Sequence, residues 1–163
     1  MSRTMPLTRF LAAVTGRDAA PGASTDTVPA LGTLPADAAA FSSVRFRVSA
    51  DYMVRELRGS KMRTVAGVFD EFAAAFQFPY YFGENKDAFD ECLRDLDEFV
   101  GPALGYVALV RDSSELLADQ PGEREWFTSA IDDCARNWSA RGVLFRVIMQ
   151  GDWPGSDAVA LTL

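Results

Sequence analysis

Four carboxylates, Asp87, Asp90, Glu91 and Asp95, fall within nine residues of the stretch FPYYFGENKDAFDECLRDL, residues 78–96. Groups of this type at this spacing could hold a divalent cation, share acid–base work, or form an anionic surface for a basic partner. Asn85 is the expected N-cap of a helix running from about Lys86 to Asp97. Phe89, Cys92, Leu93 and Leu96 recur at i, i+3, i+4 and i+7 and form its core stripe. The four acids lie at i, i+3, i+4 and i+8, on a second stripe offset from the first. The helix macrodipole favours Asp87 and Asp90 by about 0.3–1 kcal/mol each. It gives no support to Glu91 and Asp95, whose like charges at i, i+4 spacing repel; Arg94, three residues past Glu91 and four past Asp90, relieves part of that.

The loop ahead of this helix adds a second signal. Phe78, Tyr80, Tyr81 and Phe82 place four aromatic rings in five positions, more than packing at a helix start requires. Gly83 is expected to supply a positive φ or a close backbone approach, and Asn85 either to cap the helix or to point outward. Aromatic rings beside compact charge are the ingredients of a protein-interaction hot spot. A metal site is the weaker reading, because four groups on one helix face reach an ion from one side only, whereas Mg²⁺ and Ca²⁺ sites surround it. No metal and no other cofactor is expected.

Composition narrows the choice further. The sequence has no histidine among its 163 residues, which removes Ser-His-Asp and zincin chemistry and most general-base hydrolysis. No catalytic residue is expected, and the protein reads as a binder, not an enzyme. Cys92 and Cys134 occupy apolar positions in expected helices and read as buried reduced thiols. A net charge of −7 argues against direct contact with nucleic acid, whose phosphates need clustered Lys and Arg, and favours a basic protein. There is no run of about 18 apolar residues, and FLAAV, residues 10–14, is too short for a signal h-region. The expected setting is therefore cytoplasmic, with no membrane partner.

The elements that must position the acidic stripe follow from periodicity. Residues 15–40 are rich in Ala, Gly, Pro, Ser and Thr and read as a loosely held arm, preceded by one short helix around Leu7 to Val14. SVRFRVS, residues 43–49, alternates like a half-exposed strand, and YMVRELRG, residues 52–59, is a second strand candidate. Thr64 caps an amphipathic helix carrying Val65, Val68, Phe69, Phe72 and Phe76, ended by Pro79. GYVALV from Gly105 to Val110 suits a strand buried on both faces. Trp126, Phe127, Ala130, Ile131, Cys134 and Trp138 share a face of one long helix, Gly142 ends it, and GVLFRVIM follows as another buried strand. Strands alternating with helices indicate crossover connections and a parallel sheet.

Pro79, Tyr81, Phe82, Gly83, Glu84, Asn85, Asp87, Ala88, Phe89, Glu91, Cys92 and Leu93 together resemble the signature of the barstar family of ribonuclease inhibitors. The resemblance extends at lower specificity over residues 51–151. It implies an α/β fold, a small three-stranded parallel sheet covered by helices, with residues 1–50 as an N-terminal extension, 51–152 as the barstar-like domain and 153–163 as a tail. It further implies an intracellular immunity protein of the toxin–antitoxin kind. Its acidic helix and loop would plug the active site of a basic, secreted, barnase-like ribonuclease, and the protein would be a monomer when free. Carried over by position, Tyr81 would be an aromatic contact, Gly83 and Asn85 close backbone or amide contacts, Asp87 and Glu91 the central charges, and Ala88 a flat surface between them. Asp90 and Asp95 complete the acidic stripe. The best-known inhibitor of the family has Trp where Asp90 stands and Asp where Glu91 stands, which leaves open a different ribonuclease or a different kind of partner.

Overall fold

The computed structural model describes residues 4–12, 28–155 and 158–163. Along the chain run β1 (Thr4–Pro6), α1 (Leu7–Phe10), β2 (Leu31–Leu34), α2 (Ala38–Ser43), β3 (Tyr52–Arg58) and α3 (Val65–Phe76). Then follow α4 (Lys86–Arg94), α5 (Leu96–Val100), β4 (Gly105–Arg111), α6 (Arg124–Ala140), β5 (Leu144–Gln150) and β6 (Val159–Thr162). The strands form one sheet in the order β1-β6-β2-β5-β4-β3, with every pair parallel.

Among the described residues the sheet therefore has six strands where three were expected. The three expected ones are β3, β4 and β5, in register from Tyr52↔Gly105 and from Gly105↔Leu144. The additional three come from the two ends of the chain. β2 pairs with β5 from Leu31↔Val147, and β6 and β1 continue the sheet beyond it. Residues 31–34 of the expected loose arm form a strand, and its residues 38–40 open a helix that runs on to Ser43; residues 15–27 of the arm, with Ala13 and Val14 of the short helix expected before it, lie outside the described residues.

SVRFRVS is also not a strand. Its first residue ends α2, and Val44–Phe46 form a 3-10 turn. The alternation reflects one buried side chain, Val44, followed by Phe46 turned out to 79% exposure. By contrast β3, α3, β4, α6 and β5 stand where periodicity placed them. Thr64 Oγ1 accepts from Gly67 N at 3.1 Å, satisfying one of the free amides of the first turn of α3. That helix ends at Phe76, ahead of Pro79, through a left-handed Gln77 (φ 55°) and a bond from Phe78 N to Ala73 O.

Strand β4 explains the architecture. Six of its seven residues are buried, and its side chains alternate between two cores. Tyr106, Ala108 and Val110 pack with Phe72, Phe89, Leu93, Phe127 and Ile131 from α3, α4 and α6. Val107 and Leu109 pack on the other face with Phe10, Phe41, Val44 and Ile148. Each fully buried large apolar side chain contributes about 1.5–3 kcal/mol. The N-terminal residues thus supply the second layer that lets β4 and β5 be apolar on both faces.

Candidate protein-interaction site

The loop between α3 and α4 divides its aromatic residues by direction. Phe78 and Phe82 turn inward, edge-on to one another at 5.1 Å, with Phe82 also against Phe69 at 5.8 Å and Phe78 against Phe89 at 6.3 Å. Tyr80 and Tyr81 turn outward at 99% and 65% exposure and pack edge-to-face with each other at 5.6 Å. The inward pair pins the loop to the core, so the outward pair is held up to solvent on a fixed base. Tyr80 is not among the expected contact residues, and its i, i+2 spacing from Phe78 and Phe82 would have put it on their inward side had the loop been a strand.

The expected positive φ falls on Glu84 (φ 49°), not on Gly83. A Cβ at Gly83 would stand 3.1 Å from Asn85 Nδ2, so the small residue makes room for the cap itself. Asn85 Oδ1 accepts from Ala88 N at 2.8 Å, and its Nδ2 donates to Gly83 O at 3.3 Å. Both ends of this amide are thus engaged within the chain, and Asn85 acts as the N-cap of α4. Ala88 lies half-buried one turn in.

The C-terminal end of α4 is held from α6. Trp138 Nε1 donates to Leu93 O at 2.8 Å, and Cys134 Sγ approaches the same carbonyl at 3.4 Å. Arg141 donates to Arg94 O at 2.6 Å while its guanidinium lies 3.7 Å from the centre of the Trp138 ring. These donors satisfy carbonyls that have no partner within α4, and they explain why it ends at Arg94 instead of continuing to Asp97. At the other end Lys86 Nζ reaches Glu123 at 2.6 Å over the ring of Trp126.

Between these anchors the helix is divided as its period predicts. Phe89, Cys92, Leu93 and Leu96 are buried. Asp87, Glu91 and Asp95 are exposed along one line, about 6 Å apart in rise. Among the described residues no ion pair engages Asp87, Asp90, Glu91 or Asp95. Asp90 departs from the line: it is half-buried, and its Oδ1 has no hydrogen-bond partner. Desolvation raises the Asp90 carboxyl above its ordinary value; Arg94 opposes this, and Asp133 and Asp87 add to it. Asp133, on the neighbouring α6 and itself ion-paired with Arg136, acts on Asp90 from a second element and was not singled out from sequence. Its only signal was the Asp132–Asp133 pair on the polar side of an otherwise apolar-faced helix.

The arrangement offers little for covalent chemistry. Burial pushes the Cys92 thiol up to about 11 and the Cys134 thiol higher still, so neither supplies a thiolate near neutrality. Among the described residues no three carboxylate or thiol side chains converge to hold a metal ion, and no helix is long and apolar enough to cross a membrane. What the site presents is a fixed line of unpaired carboxylates behind two exposed tyrosines.

The family model described as Barstar (barnase inhibitor) matches residues 52–150, from the first residue of β3 to the last of β5. No curated protein matches the chain. The matched segment is more than half of the sequence and contains the whole of the acidic helix and its loop, so the chain belongs to the barstar family.

Proposed function

We propose that this protein is a non-catalytic, cytoplasmic inhibitor of a basic, barnase-like ribonuclease and serves as its immunity partner. Asp87 and Glu91 stand in for RNA phosphates against the Lys, Arg and His side chains of the enzyme's active site, and Asp95 extends the field. Tyr81, with Tyr80 beside it, covers an apolar part of the contact, while Gly83, Asn85 and Ala88 give the loop and first turn a flat, closely approachable outline. The observation that carries the reading is the line of exposed, unpaired carboxylates on a helix fixed at both ends, inside the segment matched to the family. Preorganisation matters because side chains and backbone ordered before contact lose less entropy on binding.

The test is titration against small basic ribonucleases encoded in the same genome, read by calorimetry and by RNA cleavage. At least one should bind and be inhibited. Glu91→Ala should weaken that complex by about 2 kcal/mol or more, roughly 30-fold, the general threshold of an interface hot spot. If no ribonuclease is bound, or if Glu91→Ala leaves every complex unchanged, the proposal fails.

A second reading keeps the same face but gives it a basic partner other than a ribonuclease. It is favoured by Asp90, which is half-buried against α6 with an unsatisfied oxygen where the best-known inhibitor carries Trp.

A further inference from the structure

The turn holding Arg45, Phe46 and Arg47 is out of keeping with an acidic protein and plays no part in the face described above. Phe46 is 79% exposed, and the Arg45 guanidinium lies 5.0 Å from the centre of its ring. Arg47 is also exposed. Further along, Arg58 and Arg63 are engaged by Glu71 and Asp119. Arg45 and Arg47 have no carboxylate partner among the described residues. In a chain of net charge −7, this is an exposed aromatic ring between two unneutralised cations.

Its place in the fold separates it from the acidic helix. Val44, at the start of the turn, packs in the core on one face of the sheet with Phe41 and Leu109. The acidic helix packs through Phe89 and Leu93 in the core on the opposite face. Two surfaces of opposite sign, each with exposed aromatic rings, therefore stand on opposite sides of one sheet and cannot meet within a molecule.

We infer that they meet between molecules: the Arg45–Phe46–Arg47 turn of one copy docks on the Tyr80–Tyr81 loop and the Asp87 and Glu91 carboxylates of a second copy. The occupant is argued from complementarity visible in the same chain. Arginine pairs with carboxylate and stacks on aromatic faces, and Phe46 finds apolar area against the tyrosines. Because the two surfaces differ, the contact is heterologous: it leaves an acidic face free at one end and a basic turn at the other, so assembly grows with concentration. Net charge of one sign opposes it. At about 0.15 M salt, however, the screening length is about 8 Å, which damps long-range repulsion while sparing close pairs. The contact is therefore weak. It covers the acidic face, so any basic partner must displace it. The inference does not require that partner to be a ribonuclease.

Sedimentation analysis of this chain alone provides the test, with two variants built at exposed positions. R45S/R47S removes the basic turn and keeps the acidic face; D87N/E91Q does the reverse. The wild-type mass should climb with concentration and return to monomer in about 1 M salt, where the screening length is about 3 Å. Each variant alone should remain monomeric and folded, with a melting temperature within about 4 °C of the wild type, the shift expected from losing the Asp87 charge in the first turn of α4. Their mixture should form a one-to-one complex, because each retains one intact half of the contact. A wild-type protein that is monomeric at every concentration overturns the inference and leaves the basic turn to an acidic partner of a different chain. Wild-type association without a complex in the variant mixture overturns it as well, since a different interface would then be at work.

Discussion

The two faces of the sheet differ in what covers them and in what the covering does. On one face α3, α4 and α6 bury a dense aromatic core containing Phe69, Phe72, Phe89 and Phe127, and α4 turns its far side to solvent as a line of carboxylates. On the other, α1 and α2 bury Phe10 and Phe41 against Val107, Leu109 and Ile148. The first face belongs to the segment shared with the barstar family; the second is covered by residues outside it. The difference teaches that binding and stability are divided between the layers. The family segment carries the proposed interaction surface, while its own central strands depend on the added layer for burial.

Removing residues 1–40 attacks that division most severely. It takes away β1, α1, β2 and part of α2, exposing one side of β4 and β5 to water. The truncated chain is expected to lose its cooperative thermal transition and to bind an apolar dye; a truncated chain that melts like the whole would sever the link between the layers. Such a deletion therefore cannot isolate the acidic face, since the loss of the fold would mask any effect on binding.

A single substitution draws the contrast more finely. Phe41 is fully buried in the second core, so Phe41→Ala should cost about 3–5 kcal/mol in denaturant unfolding. While the protein stays folded, the same change should leave partner affinity untouched, because no atom of the acidic face rests on Phe41. Asn85→Ala should do the opposite: about 1 kcal/mol of stability is lost with the cap, and amide exchange should quicken in the first turn of α4. Affinity should fall with it, because Asp87 and Glu91 ride on that helix.

The smallest expected effect concerns Asp90. Its carboxyl titrates above the ordinary aspartate value in the folded protein, so the folded state holds its proton to higher pH than the unfolded chain does. Stability contributed at this position is therefore present below the unfolded value and lost as pH rises through the folded one. Asp90→Asn should stabilise the protein at pH 7 by a few tenths of a kcal/mol, the group being largely solvent-screened, and the gain should vanish in strong acid, where Asp90 is protonated in both states. A gain that persists in acid would assign the effect to packing instead of charge.

Much of the first face was legible in the sequence, because its signals are local. The period of Phe89, Cys92, Leu93 and Leu96, the caps at Thr64 and Asn85, and the continuous apolar run of β4 each declare their structure within a few residues. The second face was not legible, because its identity comes from pairing. Leu31–Leu34 contains a glycine and only four residues, and becomes a strand through β5 and β6 on either side. Gly32 is small for a reason invisible in sequence: a Cβ there would fall 2.6 Å from Leu161 Cδ1. SVRFRVS misled for the converse reason, since one buried valine and one exposed phenylalanine imitate a strand over a turn. The acidic stripe was found by period and family likeness. The end of α4 at Arg94 and the outward Asp133 depended on α6, 40 residues further along the chain.

The central claim is that the line formed by Asp87, Glu91 and Asp95 occupies the site where a ribonuclease holds RNA phosphates. Steady-state cleavage of a short RNA by a ribonuclease that binds this protein, measured at several inhibitor concentrations, tests that claim directly. Competitive inhibition is expected, with the apparent KM rising and kcat unchanged, and Asp87→Asn with Glu91→Gln should remove it. A fall in kcat at constant KM, or inhibition indifferent to those two substitutions, would place the contact away from the active site and contradict the account.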